Sequence, residues 1–364
     1  MNAASDECLL SEYWHYYQPA YPLRLAGFFA YPEASALCPG DTIRHMTFRP
    51  VSAADLEAQL AELRRSTPDP RCGIFGPGSA NWRVNRESAL FLAAGRAALL
   101  QLAHPWVAAA IAQHSRTLHD PIARFHHTFR VMFTMSFGPL EQALAAARRL
   151  HRLHESIRGT LPEESGRFAE GSAYQANEID ALAWVYATLL DSSLLAYDLV
   201  LPPLSAAERE QYYAENRRAA ALFGVSPTEF PDDLKGFERY MKRALNSDML
   251  GVSPATRELA HQLQAGAGLR IRPPFWYRAV TTELLPPRLR EAFQFVYEKR
   301  EREAAHRALL WIRRIYPRLP ELLRFVGPYN EAQQRLQGRS RPGAAVRMIN
   351  RLWIGQPVLL ESTS

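Results

Sequence analysis

The stretch ALFLAAGRAALLQLAHPWVAAAIA, residues 89–112, decides how the chain is read. By length and apolarity it reaches across a bilayer. Arg96, His104 and Pro105 interrupt it, however, and a charge at the centre of a membrane helix costs about 2.5–3.5 kcal/mol. The better reading is a pair of core helices broken at Pro105, with the proline in a first turn, where its missing N–H is tolerated. An arginine inside such a core must find an anion or a set of acceptors.

The helical pattern extends outward from there. A small-residue helix runs from Val84 to His104, a second spans 105–115, a third runs from Asp120 to Met135 and a fourth from Pro139 to Arg158. Pro121 again suits a first turn, and Asp120 is a candidate cap. Upstream, AADLEAQLAELRRS (53–66) has apolar residues at helical spacing, acids early and arginines late, as the helix dipole favours. The loop 159–173 precedes a long apolar helix in ANEIDALAWVYATLLDSSLLAYDLVL. Ser205 and Glu208 then form a capping-box pattern. Further helices are expected at 205–222, 232–246, 254–266, 287–314 and 318–326, with a polar tail after Gln337.

No sustained alternation of a strand, internal repeat or low-complexity tract is present. The expected fold is all-α, a compact single-domain helical bundle. Its parts are an N-terminal wrap with a short helix (1–80), the helical body (81–336) and a C-terminal tail (337–364).

Hydrophobic residues make up 47% of the chain and charged residues 22%, values of a folded protein. The formal charge is +6, but Lys235, Lys242 and Lys299 are the only lysines. The arginines are interleaved with acids, so no nucleic-acid partner is expected. Cys8, Cys38 and Cys72 are odd in number and lack metal-ligand spacing, and the N-terminus has no secretory pattern; a reducing cytoplasm is expected. No anchor or basic amphipathic helix with a clear moment is evident, so membrane contact is not predicted. Nothing in the sequence speaks to oligomeric state.

Chemistry gathers in two stretches. In RFHHTFRVMF (124–133), residues 124, 127, 128, 131 and 135 follow one helix face, which sets Arg124, His127 and Thr128 beside Val131 and Met135. In RRLHRLHESIRG (148–159), His151, His154 and Arg158 form a second stripe. A neutral imidazole on a rigid helix is a metal or haem ligand, and arginine pairs with carboxylates. Read alone, either stripe is equally a buried polar network or a solvated face. His104 and Arg96 form a third group two turns apart. For Arg96 a haem propionate, Glu87 and a set of helix-end carbonyls are all open as partners.

Taken together, NRESALFLAAGRAALLQLAHPWVAAAIAQHS, DPIARFHHTFR, HRLHESIRG and YQANEIDALAWVYATLLDS resemble the catalytic domain shared by latex-clearing rubber oxygenases and the MpaB-type oxygenase of mycophenolic acid biosynthesis. The resemblance runs from about residue 81 to 225. It implies a globin-like helical core holding haem b, with an axial histidine followed four residues later by an arginine. His154 and Arg158 match that pair, and Arg124 with Thr128 matches the family's Arg-x-x-x-Thr element. There are departures. His127 stands where rubber oxygenases have a lysine able to fill the sixth iron position, which leaves it as a second axial ligand, a proton handler or a hydrogen-bond partner of a propionate. His151 replaces an arginine and is a weaker propionate contact. No glutamate lies between Glu87 and Glu141, so the rubber enzymes' proposed base is missing.

The resemblance thus implies a haem b-dependent oxygenase or oxidoreductase acting on an apolar, isoprenoid- or lipid-like molecule with dioxygen or peroxide. His154 is the expected iron ligand, Arg124 and Thr128 orient ligands, and His127 or His104 moves protons. The rival readings are a bis-histidine haem sensor or carrier and a haem-free helical binding protein.

Overall fold

The computed structural model describes residues 48–115, 120–269 and 272–359. The expected N-terminal wrap with its short helix, along with Cys8 and Cys38, falls outside the described residues up to residue 47. From Phe48 onward the described residues belong to one unit.

Helix dominates. In chain order the helices are α1 (Ala53–Ser66), α2 (Ala80–Asn85), α3 (Ala94–Leu102), α4 (Pro105–His114), α5 (Pro121–Phe137), α6 (Leu140–Glu155), α7 (Ile179–Val200) and α8 (Ala206–Ala219). They continue as α9 (Leu234–Leu245), α10 (Pro254–Ala265), α11 (Phe275–Glu283), α12 (Pro287–Ala292), α13 (Lys299–Ile315), α14 (Glu321–Arg324), α15 (Gly327–Leu336) and α16 (Ala344–Ile354). An antiparallel ribbon of β1 (Arg158–Thr160) and β2 (Ala173–Gln175) pairs Gly159 with Tyr174.

Local chemistry sets many of the boundaries. Asp120 caps α5 by accepting from the Ala123 amide, and Ser205 and Glu208 close a reciprocal capping box on α8. The chain breaks at Pro105 as its sequence implies, with His104 at the N-cap of α4. α7 is the central element and packs on α3 and on the 3-10 turn Ser88–Ala93. It is long and apolar enough to cross a membrane, but 72% of its most apolar window is buried inside the fold. Burial in a core accounts for its composition. Its Trp184 donates from Nε1 to the Leu100 carbonyl at 3.0 Å, tying it to α3.

Other boundaries follow from long-range contacts. The expected helix from Val84 to His104 is three pieces, because Glu87 is extended, bridges Phe325 and sends its buried carboxylate to Arg324 at 2.7 Å and Tyr316 at 3.0 Å. Expected helix 287–314 splits where Gln294 turns left-handed (φ 56°) between the buried rings of Phe293 and Phe295. Pro317 and Pro320 leave only a 3-10 turn and the four-residue α14 where 318–326 was expected. α11 was not expected; FWYRAVTTE is rich in aromatic and β-branched residues, which are poor helix formers, and packing on α13 holds it. The tail after Gln337 folds back as α16, burying Val346, Asn350 and Ile354 and stacking Trp353 on Phe91 at 4.3 Å.

α5 and α6 form an antiparallel pair behind a sharp corner at Gly138. Gly73, at φ +79°, lies so close to the corner that a Cβ there would sit 2.2 Å from the Gly138 carbonyl oxygen. This pair, with α3 and α7, walls the cavity described next.

Candidate functional site

A cavity of about 330 Å³ lies among α3, α5, α6, α7 and α8. α5 lines it from Arg124 to Ser136, a run of about 18 Å at 1.5 Å per residue. Arg124, His127 and Thr128 occupy one end of that run. Val131, Met132 and Met135 continue it, as the face predicted from their spacing requires. From α6 come Leu150, Leu153 and His154, and Val185 and Leu189 of α7 add to a mostly apolar wall. Size and lining are those of a small-molecule or cofactor site.

His154 is the chemically distinctive member. Burial, the nearby Arg124 guanidinium and His151 push its pKa down to about 4. It is therefore neutral at pH 7, with a lone pair available for a metal. The Asn177 side chain is in hydrogen-bonding reach of its ring. Asn177 is itself buried and fixed: Nδ2 donates to the His151 carbonyl at 3.1 Å, and its own carbonyl accepts from the Val51 amide at 2.8 Å. A neutral ring nitrogen facing an apolar cavity, with a fixed amide nearby, suits a metal-binding histidine.

The Arg124 guanidinium makes no hydrogen bond or ion pair among the described residues, and desolvation pushes it below the usual arginine range. A cation without a counter-charge at the mouth of a cavity suits a carboxylate, which arginine grips with two parallel hydrogen bonds. His127 is held down by burial and by Arg130 and Arg124. Its Nδ1 stands 3.4 Å from Arg130 Nη2. Arginine only donates, so Nδ1 is the acceptor and a neutral His127 carries its proton on Nε2.

The remaining expected site residues lie elsewhere. α6 ends at Glu155, so Arg158 leaves the helical stripe and opens β1, and its carbonyl meets His114 Nε2 at 3.1 Å. Pairing with residues 173–175 takes the chain out of the helix one turn early. His151 is buried with Nε2 on the Val51 carbonyl at 2.9 Å, and Arg96 pairs with Asp191 at 2.7 Å while donating to Ser192 Oγ and the Leu284 carbonyl. Neither residue lines the cavity. Of the three partners open for Arg96, the carbonyl is present, and the anion is Asp191.

His104 is also outside the cavity. It is fully buried against Trp106 and Phe168, and neither ring nitrogen has a partner among the described residues. Burial, then Arg167, pushes its pKa down to about 3. Because the folded pKa lies below the unfolded value of about 6.5, the unfolded state binds the proton first. His104 thus contributes stability that is present above about pH 6.5 and lost as pH falls toward 3. A His104→Leu variant is expected to show a clearly shallower fall of its urea midpoint across that window; an unchanged pH slope would refute this.

Sequence reading missed Asn177. It sits in ANEID immediately before the α7 cap Glu178, whose carboxyl is pushed up to about 7 chiefly by burial. Small polar residues ahead of a helix read as caps, so no local signal pointed to His154. Also missed were the cavity residues Gln101, Asn81, Tyr212 and Asn216, which come from three separate helices.

The donor set fits an iron that brings most of its own ligands. Among the described residues no cluster of three or more His, Cys, Asp or Glu side chains is gathered to hold a bare ion. What the cavity offers is one neutral imidazole, a second nearby, an unpaired arginine and apolar walls.

A family model described as ER-bound oxygenase mpaB/B'/Rubber oxygenase, catalytic domain, matches residues 82–315. That span contains every cavity-lining helix from α3 to α8. No curated protein and no solved structure matches the chain.

Proposed function

Because this chain belongs to the mpaB/rubber oxygenase catalytic-domain family, we propose that it is a haem b-dependent oxygenase of apolar, isoprenoid- or lipid-like molecules, working in the cytoplasm with dioxygen or peroxide. Membership supports an oxygenase in general. The observation that carries the haem reading is His154, neutral, backed by Asn177 and set in an apolar cavity. In this reading α3 to α7 form a globin-like core. Bound haem supplies the redox chemistry that activates the oxidant.

The chain's own residues do the rest. His154 would hold the haem iron, and its depressed pKa would keep the proton from competing with iron for the lone pair. Arg124 pairs with a propionate. Thr128, one turn further along the same face, orients an oxidant or an ordered water through its hydroxyl. His127 presents Nε2–H as donor, since Arg130 occupies Nδ1; this favours proton handling over a second axial bond. The apolar wall of Val131, Met132, Met135, Val185 and Leu189 binds substrate by burial and excludes water.

The test is protein expressed with a haem precursor and assayed for pyridine haemochrome, absorption spectrum and oxygen uptake on polyisoprenoid and unsaturated lipid substrates. Near-stoichiometric haem b and substrate-dependent uptake are expected. Haem-free protein would sink the proposal. A spectrum that oxygen, cyanide and peroxide all leave unchanged would instead assign a bis-histidine carrier.

A further inference from the structure

α13 buries Ala305 and Leu309 on one side and packs there on α11 and α7. Its other side is a stripe by helical spacing, Arg307, Trp311, Arg314 and Ile315, followed by Arg318 of the next 3-10 turn. Trp311 is 64% exposed and Ile315 47%, with Leu310 beside them at 41%. The chain then turns and presents Leu322 and Leu323, the latter 63% exposed, on α14. Single exposed apolar residues are ordinary, but this many within fourteen residues of chain (310–323) point to an interaction surface.

Charge selects the partner. Residues 304–323 hold four arginines, Arg307, Arg313, Arg314 and Arg318, against one carboxylate, Glu321. None of the four arginines makes an ion pair among the described residues; the acids of α13, Glu301 and Glu303, are confined to its first turns. A second copy docked face to face would set arginines against arginines. An anionic bilayer offers the complement: negative headgroups for the arginines, whose long stems let them snorkel, and an interfacial zone where tryptophan is favoured.

We propose that the α13–α14 face docks on an anionic lipid bilayer, with α13 in the plane of the headgroups and Trp311, Ile315, Leu322 and Leu323 at the acyl boundary. The inference does not depend on haem, and it places an enzyme of apolar substrates where such molecules dissolve.

The test is co-sedimentation of the full chain with vesicles of phosphatidylcholine alone and of phosphatidylcholine with phosphatidylserine. Stronger binding to the phosphatidylserine vesicles is expected, weakening as salt rises. A Trp311→Ser/Leu323→Ser double variant should lose about tenfold or more on both vesicle types. Arg314→Glu/Arg318→Glu should lose about tenfold or more on the anionic vesicles only. All four positions are exposed, so thermal melts should match the parent and separate lost docking from lost folding. Parent protein that ignores phosphatidylserine vesicles, or variants that bind them as the parent does, would overturn the proposal. So would a dimer that dissociates on Trp311→Ser without any vesicle binding, which would give the face to a second copy. Haem content is a separate readout, so this surface and the oxygenase reading fail independently.

Discussion

His154→Ala is expected to emerge from purification essentially without haem b, its affinity reduced by about a hundredfold or more, while its helical circular dichroism matches the parent. Outer partners of a metal ligand alone are worth about 10–100-fold in affinity, and the ligand itself is worth at least as much. The alanine sits near the end of α6, where His154 lines the cavity and is not part of the buried core; the fold should therefore survive. Two comparisons make the result specific. His151→Ala, three residues away, removes a ring bound to the Val51 carbonyl and not facing the cavity, so it should cost stability and spare haem content. Arg124→Met should weaken haem retention without abolishing it, because the arginine pairs with a propionate and not with iron. The pH sign follows from the direction of the shift. With the His154 pKa at about 4, protons compete for the nitrogen only near and below that value, so haem should be retained at pH 6 and released as pH falls toward 4. A His154→Ala protein with parental haem content and spectrum would remove the central residue of the proposal.

How far the sequence could carry these assignments depends on where each signal was stored. Arg124, His127 and Thr128 were placed together because a helix fixes i, i+3 and i+4 on one face regardless of context, and the cavity lies along that face. Pro105 and Asp120 were legible because proline and cap chemistry are local. Arg158 was not, since α6 stops at Glu155 only because the next residues find a partner strand at 173–175. The partner of Arg96 lies on a helix almost a hundred residues away. Asn177 looked like any polar residue ahead of a helix until Val51 and His151 fixed it. The same holds for α16, whose sequence reads as a tail until Trp353 meets Phe91. Periodicity predicts which side chains share a face; it does not predict what that face meets.

Arg96 shows how much can turn on that difference, and it carries the largest expected effect on stability. Its guanidinium and the Asp191 carboxylate are 2% and 8% exposed and 2.7 Å apart, joining α3 to α7 beside the cavity wall. Asp191→Ala leaves a buried cation with only Ser192 Oγ and the Leu284 carbonyl as acceptors. Breaking one side of such a pair costs about 3–5 kcal/mol, a fall in melting temperature of roughly 5 °C at this chain length. Removing both charges is a different experiment. Arg96→Met/Asp191→Leu keeps the volume and leaves nothing unpaired, so it should recover most of the loss, because two buried ions pay heavily in desolvation for the attraction they gain. Thermal melts of Arg96→Met, Asp191→Leu and the double variant form a cycle that isolates this coupling. The cycle also separates two roles for Arg96. As the internal partner of Asp191 it is silent toward haem, and the double variant should bind haem as the parent does. As a propionate anchor it would not be silent: the double variant would regain its melting temperature and still lose haem. Recovery of both properties together is the expected result, because every polar contact shown for this guanidinium comes from α7 or from the end of α11, and Arg96 itself does not line the cavity.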